Sequence, residues 1–261
     1  MQERHRNRKR YFDEQGLTTL KHVIPFISTV KPVTTATTVL EIGCGEGGNL
    51  TPFVDMGCTT TGIDISTTRI EAAEDFFSDH PKKSNLHLVA EDIYKVKAEE
   101  IKPYDVIMMR DVIEHIPDQD KFMGYVKGFL AQDGTFFLGF PPWYNPFGGH
   151  QQICKSKLLS KLPWFHLLPR PLYRGVLKLF GEAPHTLQEL TEIHETGISI
   201  ERFRRILRKH GYKVHREVFW FINPNYETKF KLKPRRLWGI IRILPWVRNF
   251  YCTCAYYLIS K

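Results

Sequence analysis

Val39-Leu40-Glu41-Ile42-Gly43-Cys44-Gly45-Glu46-Gly47-Gly48-Asn49-Leu50 decides how this chain folds. An apolar run ends in an acid, glycines follow, and the residues after them can begin a helix. The stretch reads as a buried parallel strand turning tightly into a helix. Glycines suit that turn because its backbone takes conformations closed to other side chains and lets a ligand come close. The helix N-terminus behind them offers unpaired N–H groups and the positive end of the helix dipole. A nucleotide-sized ligand follows. Gly43, Gly45 and Gly48 also satisfy the dinucleotide pattern G-x-G-x-x-G, so the turn alone leaves the ligand open.

Outward from the turn the chain alternates. A first strand over about 38–42 leads to a helix over about 47–56. A second strand, about 59–63, ends in Asp64, with Ser66 as N-cap of a helix reaching Asp79. The third strand, 86–90, is followed by Glu91-Asp92. The fourth, 104–109, runs into Arg110-Asp111-Val112-Ile113-Glu114-His115. A helix over about 119–130 stops before Asp133-Gly134, and a fifth strand covers 135–140. Five strands separated by helices make a parallel doubly wound sheet with its ligand crevice at the strands' carboxyl ends. A later helix from Ser199 stops at His210-Gly211, a sixth strand covers about 213–221, and the last, about 250–260, is close enough to pair with it antiparallel.

Two stretches break the alternation. Residues 141–150 hold three prolines and two glycines, and the chain from Ile153 to Phe180 carries no Asp or Glu while mixing Trp164, Leu168, Tyr173 and Leu179 with Lys161, Arg170 and Arg174. A second basic and apolar run spans 224–248. The expected division is an N-terminal basic, helical segment over 1–35 and one domain over 36–261, with insertions at about 143–190, a helical lid, and 224–248. The opening cluster Arg4, Arg6, Arg8, Lys9 and Arg10 is either a solvated end or part of a cover over the ligand.

A chain of 261 residues that is 42% hydrophobic can bury one substantial core. Its formal charge of +9 favours an anionic partner, whether nucleic acid, acidic metabolite or lipid headgroup. The five cysteines are odd in number and lack C-x-x-C spacing, which argues against a disulfide framework or zinc site. Cys252 and Cys254 are expected to share one strand face as buried apolar residues. No apolar run reaches the ~18 residues of a membrane span and no signal-peptide core is present, so a cytoplasmic location is expected, with a peripheral membrane surface open.

From about Val39 to Ile259 the chain resembles the class I S-adenosylmethionine-dependent methyltransferases, with the two insertions as departures. Glu41 stands two residues before the first glycine, Asp92 follows the third strand, and the chain closes with a helix and two strands. The resemblance implies a Rossmann-like, doubly wound sheet of seven strands, mostly parallel with the last antiparallel. It also implies S-adenosylmethionine as cofactor. Glu41 would lie at the methionine end; Gly43, Cys44, Gly45 and Gly47 would admit the carboxypropyl group and ribose; Asp64 would accept from both ribose hydroxyls. Ile65 would pack on the adenine, with Asp92 and the Ile93 backbone reading its edge and Glu91 as the alternative acid. Arg110 and Asp111 would contribute backbone contacts beside the methionine moiety.

Methyl transfer is an in-line displacement on an already activated sulfonium, so alignment supplies much of the catalysis. A general base is needed when the acceptor is a hydroxyl. Candidates are His115, His150, His194 and Glu114. The segment Asp111–Pro117 resembles that of quinone-pathway and other small-molecule methyltransferases; if it is helical, one of Glu114 and His115 faces the pocket while the other braces the fold. His194 matches in placement a histidine of quinone O-methyltransferases. No metal site is expected. The insertions favour a lipid-like or small-molecule acceptor and an anionic membrane surface over nucleic acid, because their basic residues alternate with large apolar ones. The alternatives are a cofactor-binding scaffold without turnover, and transfer to nitrogen or carbon.

Overall fold

The computed structural model describes residues 8–97 and 102–261; Arg4 and Arg6 of the basic cluster lie outside the described residues. Helix α1 (Arg8–Thr18) passes through a π-helical turn, Thr19–Val23, into the short α2 (Ile24–Ile27). The alternation runs β1 (Thr38–Ile42), α3 (Thr51–Met56), β2 (Thr59–Asp64), α4 (Thr67–Phe76), β3 (Leu86–Ala90), β4 (Tyr104–Arg110), α5 (Gln119–Val126), β5 (Leu130–Phe140). The insertion after β5 contains α6 (Arg170–Leu179) and α7 (Pro184–Thr196), and α8 (Ile200–Lys209) and β6 (Lys213–Ile222) follow. The end of the chain forms α9 (Asn225–Phe230), the two-residue β7 (Arg235–Arg236), α10 (Gly239–Ile243), α11 (Val247–Tyr251) and β8 (Cys254–Ser260).

One eight-stranded sheet takes the order β3-β2-β1-β4-β5-β8-β6-β7. Strands β1 to β5 pair in parallel, and β8 lies antiparallel between β5 and β6. Seven strands and an antiparallel last strand were expected; β7, a two-residue rung on the edge of β6, makes the eighth. Strand order reverses between β1 and β4, so the crevice opens at their carboxyl ends. Side chains alternate across the sheet as the pleat requires. Ile107 and Met109 pack with Phe122, Phe203 and Tyr257 on one face, while Val106 and Met108 meet Val23, Ile27 and Phe53 on the other.

Several boundaries differ from the sequence reading for local reasons. Helix α3 begins at Thr51 rather than Gly47, because Gly43, Gly45 and Gly47 all hold positive φ and a right-handed helix cannot propagate through them. Ser66 occupies the N-cap of α4 without a side-chain cap bond; its hydroxyl meets that of Thr68 instead. Between Asp111 and Ile116 only Ile113–His115 forms a turn of 3-10 helix. Strand β8 starts only at Cys254, with Cys252 and Thr253 in the link from α11, so alternation does not relate Cys252 to Cys254. Cys252 packs with Ala255 and Tyr257, whereas Cys254 packs with Tyr256 and Leu258 across the sheet. All five cysteines are free and buried. No described helix is long and apolar enough to cross a membrane.

Candidate active site

The glycine turn is stitched to the end of β2, for Gly43 N and Cys44 N both donate to Ile63 O, at 2.7 and 3.1 Å. A Cβ on Gly43 would come within 2.5 Å of Val112 Cγ2, so the segment after β4 lies directly against the turn. Above Gly45 a Cβ would meet nothing within 4 Å: this is the open side. Cys44 turns its side chain into a cluster with Leu50 and Ile70, which leaves only its backbone toward a ligand. Asp64 is buried, accepting from Gly45 N at 2.8 Å through Oδ2 and from Ser66 N at 2.9 Å through Oδ1. Each oxygen retains acceptor capacity for a hydroxyl.

Glu41 is fully buried at the end of β1. Its Oε1 accepts from Asn49 Nδ2 at 2.8 Å, while Oε2 has no hydrogen-bond partner among the described residues. Burial pushes its carboxyl up to about 8, with Asn49 and Arg110 opposing the shift and Asp64 adding to it. Asn49 Oδ1 accepts from Thr19 Oγ1 at 2.9 Å and from Arg110 Nη1 at 3.1 Å. Arg110 thus enters the site through its side chain as well as its backbone. Asn49 and Thr19 are the residues that sequence reasoning missed. A polar side chain directly after the glycine run signals Asn49, whereas Thr19, in the π-turn, carries no local signal. Asp111 stands at φ 55°, its N–H bonded to Gly139 O at 2.8 Å and its carboxylate 3.8 Å from Arg110 Nε.

On the adenine side, Ile65 projects beyond Asp64 and is 76% exposed, a large apolar side chain without cover. Asp92 Oδ1 accepts from Tyr94 N at 3.0 Å, which fixes the carboxylate at the crevice edge. Glu91 accepts from Asp92 N and pairs with Lys95 at 3.1 Å, so it is engaged locally. The Ile93 side chain is buried in the core, leaving its backbone for any ligand.

Three of the four proposed catalytic residues meet. His150 Nε2 lies 3.9 Å from Glu114 Oε1, and the His115 and His150 rings stand edge to face at 5.0 Å. His150 follows Gly148-Gly149 with φ 55°, a backbone setting rare outside glycine and concentrated at functional sites. Neither carboxylate oxygen of the buried Glu114 has a hydrogen-bond partner among the described residues, and burial raises its carboxyl well above the ordinary range. His150 is pushed down to about 3 by burial, with His115 and His166 adding to the shift. Ligand atoms of Glu114, His115 and His150 lie within 4.8 Å of one another, close enough to share a divalent cation, which the sequence did not lead us to expect. His194 stands apart: its Nε2 is 3.1 Å from Leu168 O and its ring packs on Trp143 and Tyr173 within the lid. The lid has its own small core of Cys154, Leu159, Phe165, Tyr173, Leu177 and Leu190. Thr196 at the end of α7 donates to Glu114 O, tying that core to the site.

A sheet of this order with an acid-flanked glycine turn at its switch point defines an α/β protein that binds an adenosine-containing cofactor at the end of β1. Residues 10–217 match the family model described as a methyltransferase domain. The chain belongs to that family, whose cofactor is S-adenosylmethionine. Among curated relatives, a ubiquinone biosynthesis O-methyltransferase of Rhodopseudomonas palustris (strain BisB5) is 37% identical over 103 residues, 38% of each chain. The same-named protein of Pelagibacter ubique (strain HTCC1062) is 34% identical over 104 residues, 38% of this chain and 40% of the relative. The chain thus spans about two fifths of the relatives it matches. Of solved structures, PKMT2 from Rickettsia typhi superposes with TM-score 0.56 at 18% identity, covering 93% of this chain and 52% of that one. The magnesium protoporphyrin IX methyltransferase of Synechocystis PCC 6803 with bound SAH gives TM-score 0.54 at 14% identity, covering 95% and 84%. These structures agree in fold.

Proposed function

We propose that this protein transfers the methyl group of S-adenosylmethionine to an oxygen of a small or lipid-like acceptor that approaches beneath the lid over 143–182. The observation that carries the reading is the Glu114–His150 pair, set two residues beyond the Val112 that packs on Gly43. The cofactor supplies an activated methyl group; the chain's task is to bind, align and manage one proton. Glu41, Asp64, Ile65 and Asp92 hold the methionine, ribose and adenine ends. A hydroxyl nucleophile must lose a proton as it attacks, and neutral His150 is free to accept it. The Glu114 carboxyl, whose Oε1 lies 3.9 Å from His150 Nε2, is placed to accept a hydrogen bond from the resulting imidazolium. His115 orients the His150 ring from its edge. An acceptor of apolar body and acidic hydroxyl suits the lid, whose stretch from Ile153 to Phe180 has basic residues and no acid. The same composition supports a peripheral place on an anionic membrane surface.

The test is transfer of labelled methyl from the cofactor to phenolic acceptors of increasing chain length, with amine analogues alongside. Methylation of the phenols and not of the amines is expected. Equal or preferential methylation of the amines overturns O-transfer, and absence of cofactor binding overturns the whole reading. Prior treatment with a chelator leaves the expected rate unchanged; a loss restored by a divalent cation would assign Glu114, His115 and His150 to a metal instead of to a proton.

A further inference from the structure

The second insertion carries an apolar surface that the fold leaves uncovered. Trp238, Ile240, Ile243, Leu244 and Trp246 are between 43% and 76% exposed. Patches of this kind on an otherwise well-packed domain mark contact with another phase or partner. The segment is firmly held. Leu237 is buried and its N–H donates to Phe219 O at 2.8 Å, and Ile241, one turn on, packs against the main core. Helical spacing therefore turns Ile240 and Ile243 outward. At the base, Glu201 of α8 accepts from Trp246 N at 3.1 Å, Arg248 Nε at 2.9 Å and Asn249 Nδ2 at 2.5 Å. Trp238 stacks on Phe221 with centroids 5.7 Å apart.

Charge identifies the occupant. Arg235, Arg236 and Arg242 flank the apolar residues in sequence and are exposed, and no Asp or Glu occurs from Thr228 to Lys261. Aliphatic side chains at a tip, tryptophans beside them and arginines around them match the depth profile of a bilayer interface. Nucleic acid would call for stacking and phosphate contacts and would leave Ile240, Ile243 and Leu244 without a role. The patch is continuous with the acceptor side, because Tyr144 in the loop that leads to His150 packs on Trp246 and Phe250 at 6.5 and 5.4 Å.

We infer that α10 is a wedge that seats the protein on an anionic lipid bilayer, so that the loop after β5 faces acceptors dissolved in it. The inference rests on the lipid-like acceptor and membrane reading above, and it assigns the anchor to α10 instead of the lid. The test is sedimentation of the full chain with phosphatidylcholine vesicles, with and without phosphatidylglycerol. The unaltered protein is expected to bind only the anionic vesicles. Ile240→Glu/Ile243→Glu should weaken binding at least about tenfold, with the circular dichroism spectrum and adenosylmethionine affinity unchanged. Leu172→Glu/Leu179→Glu in the lid should weaken it less. If the lid variant loses binding and the α10 variant keeps it, the wedge is wrong while the membrane reading stands. If the unaltered protein ignores anionic vesicles at low salt, both fall. Tighter binding to single-stranded RNA than to those vesicles would also overturn the wedge.

Discussion

Glu41 offers the sharpest test of how the cofactor site works. Its carboxyl is wholly buried, with one oxygen bonded to Asn49 and the other without a hydrogen-bond partner among the described residues, and burial pushes it from 4.5 up to about 8. A raised carboxyl means that the folded protein holds a proton which the unfolded chain releases between those two values. Stability is therefore fully present below about 4.5 and is lost as pH rises toward 8. At 1.36 kcal/mol per pKa unit the shift corresponds to a ceiling of about 5 kcal/mol, and relaxation of the site brings the effect to about 2–5 kcal/mol. Glu41→Gln keeps the acceptor for Asn49 and removes the titration. In denaturant unfolding, the ligand-free wild type should lose stability between about pH 4.5 and 8 while the variant stays level over that window. Cofactor binding completes the prediction. On the proposed reading the cationic methionine end would pair with an ionised Glu41, so binding near neutral pH should release close to one proton, measurable by calorimetry in buffers of different ionisation enthalpy. The variant should release none from this site and bind about 10- to 100-fold more weakly, the worth of one charged hydrogen bond. A variant that matches the wild type in pH dependence, proton release and affinity would refute the assignment of Glu41.

Asp64→Ala should weaken adenosylmethionine binding by about 100-fold or more, because it removes two charge-assisted contacts and leaves Gly45 N without its acceptor; calorimetry reads this directly. Gly43→Ala should abolish cofactor binding and lower the melting temperature, since the new Cβ would lie 2.5 Å from Val112 at a φ of +72°. His150→Ala and Glu114→Gln should each lower turnover by about 10²- to 10⁴-fold at unchanged cofactor affinity, whereas His194→Ala should lower thermal stability and leave turnover near wild type. The depressed His150 contributes stability above its ordinary pKa that is lost as pH falls toward about 3, and His150→Ala should flatten that acid limb of the unfolding profile.

The parts of this molecule that were legible in advance are those encoded locally. Positive φ at Gly43, Gly45 and Gly47, the acids at the ends of β1 and β2, and the alternation of apolar runs with helix caps all depend on neighbours within a few residues. The Glu41–Asn49–Thr19–Arg110 network depends on four separate elements closing on one point, and no periodicity announces it. The sequence offers His115, His150 and His194 as acid–base candidates, with Glu114 as a carboxylate option; only tertiary packing joins Glu114, His115 and His150 and sets the half-buried His194 among lid aromatics. The 224–248 run was recognised as basic and apolar, yet which of its side chains face outward follows from Leu237 and Ile241 gripping the core.

The position of β8 bears on how the molecule comes into being during synthesis. Among the described elements the strand comes last in chain order, yet it lies between β5 and β6, with Ala255–Ile259 fully buried. While the ribosome is still adding those residues, β5 and β6 each present an open ladder edge flanked by apolar side chains. The cofactor half of the sheet can assemble early, whereas β6 must wait for its partner to leave the exit tunnel. Nascent chains are thus most vulnerable to aggregation in the few seconds between the emergence of β6 and that of β8, at about 5–20 residues per second, and holding chaperones should matter most there.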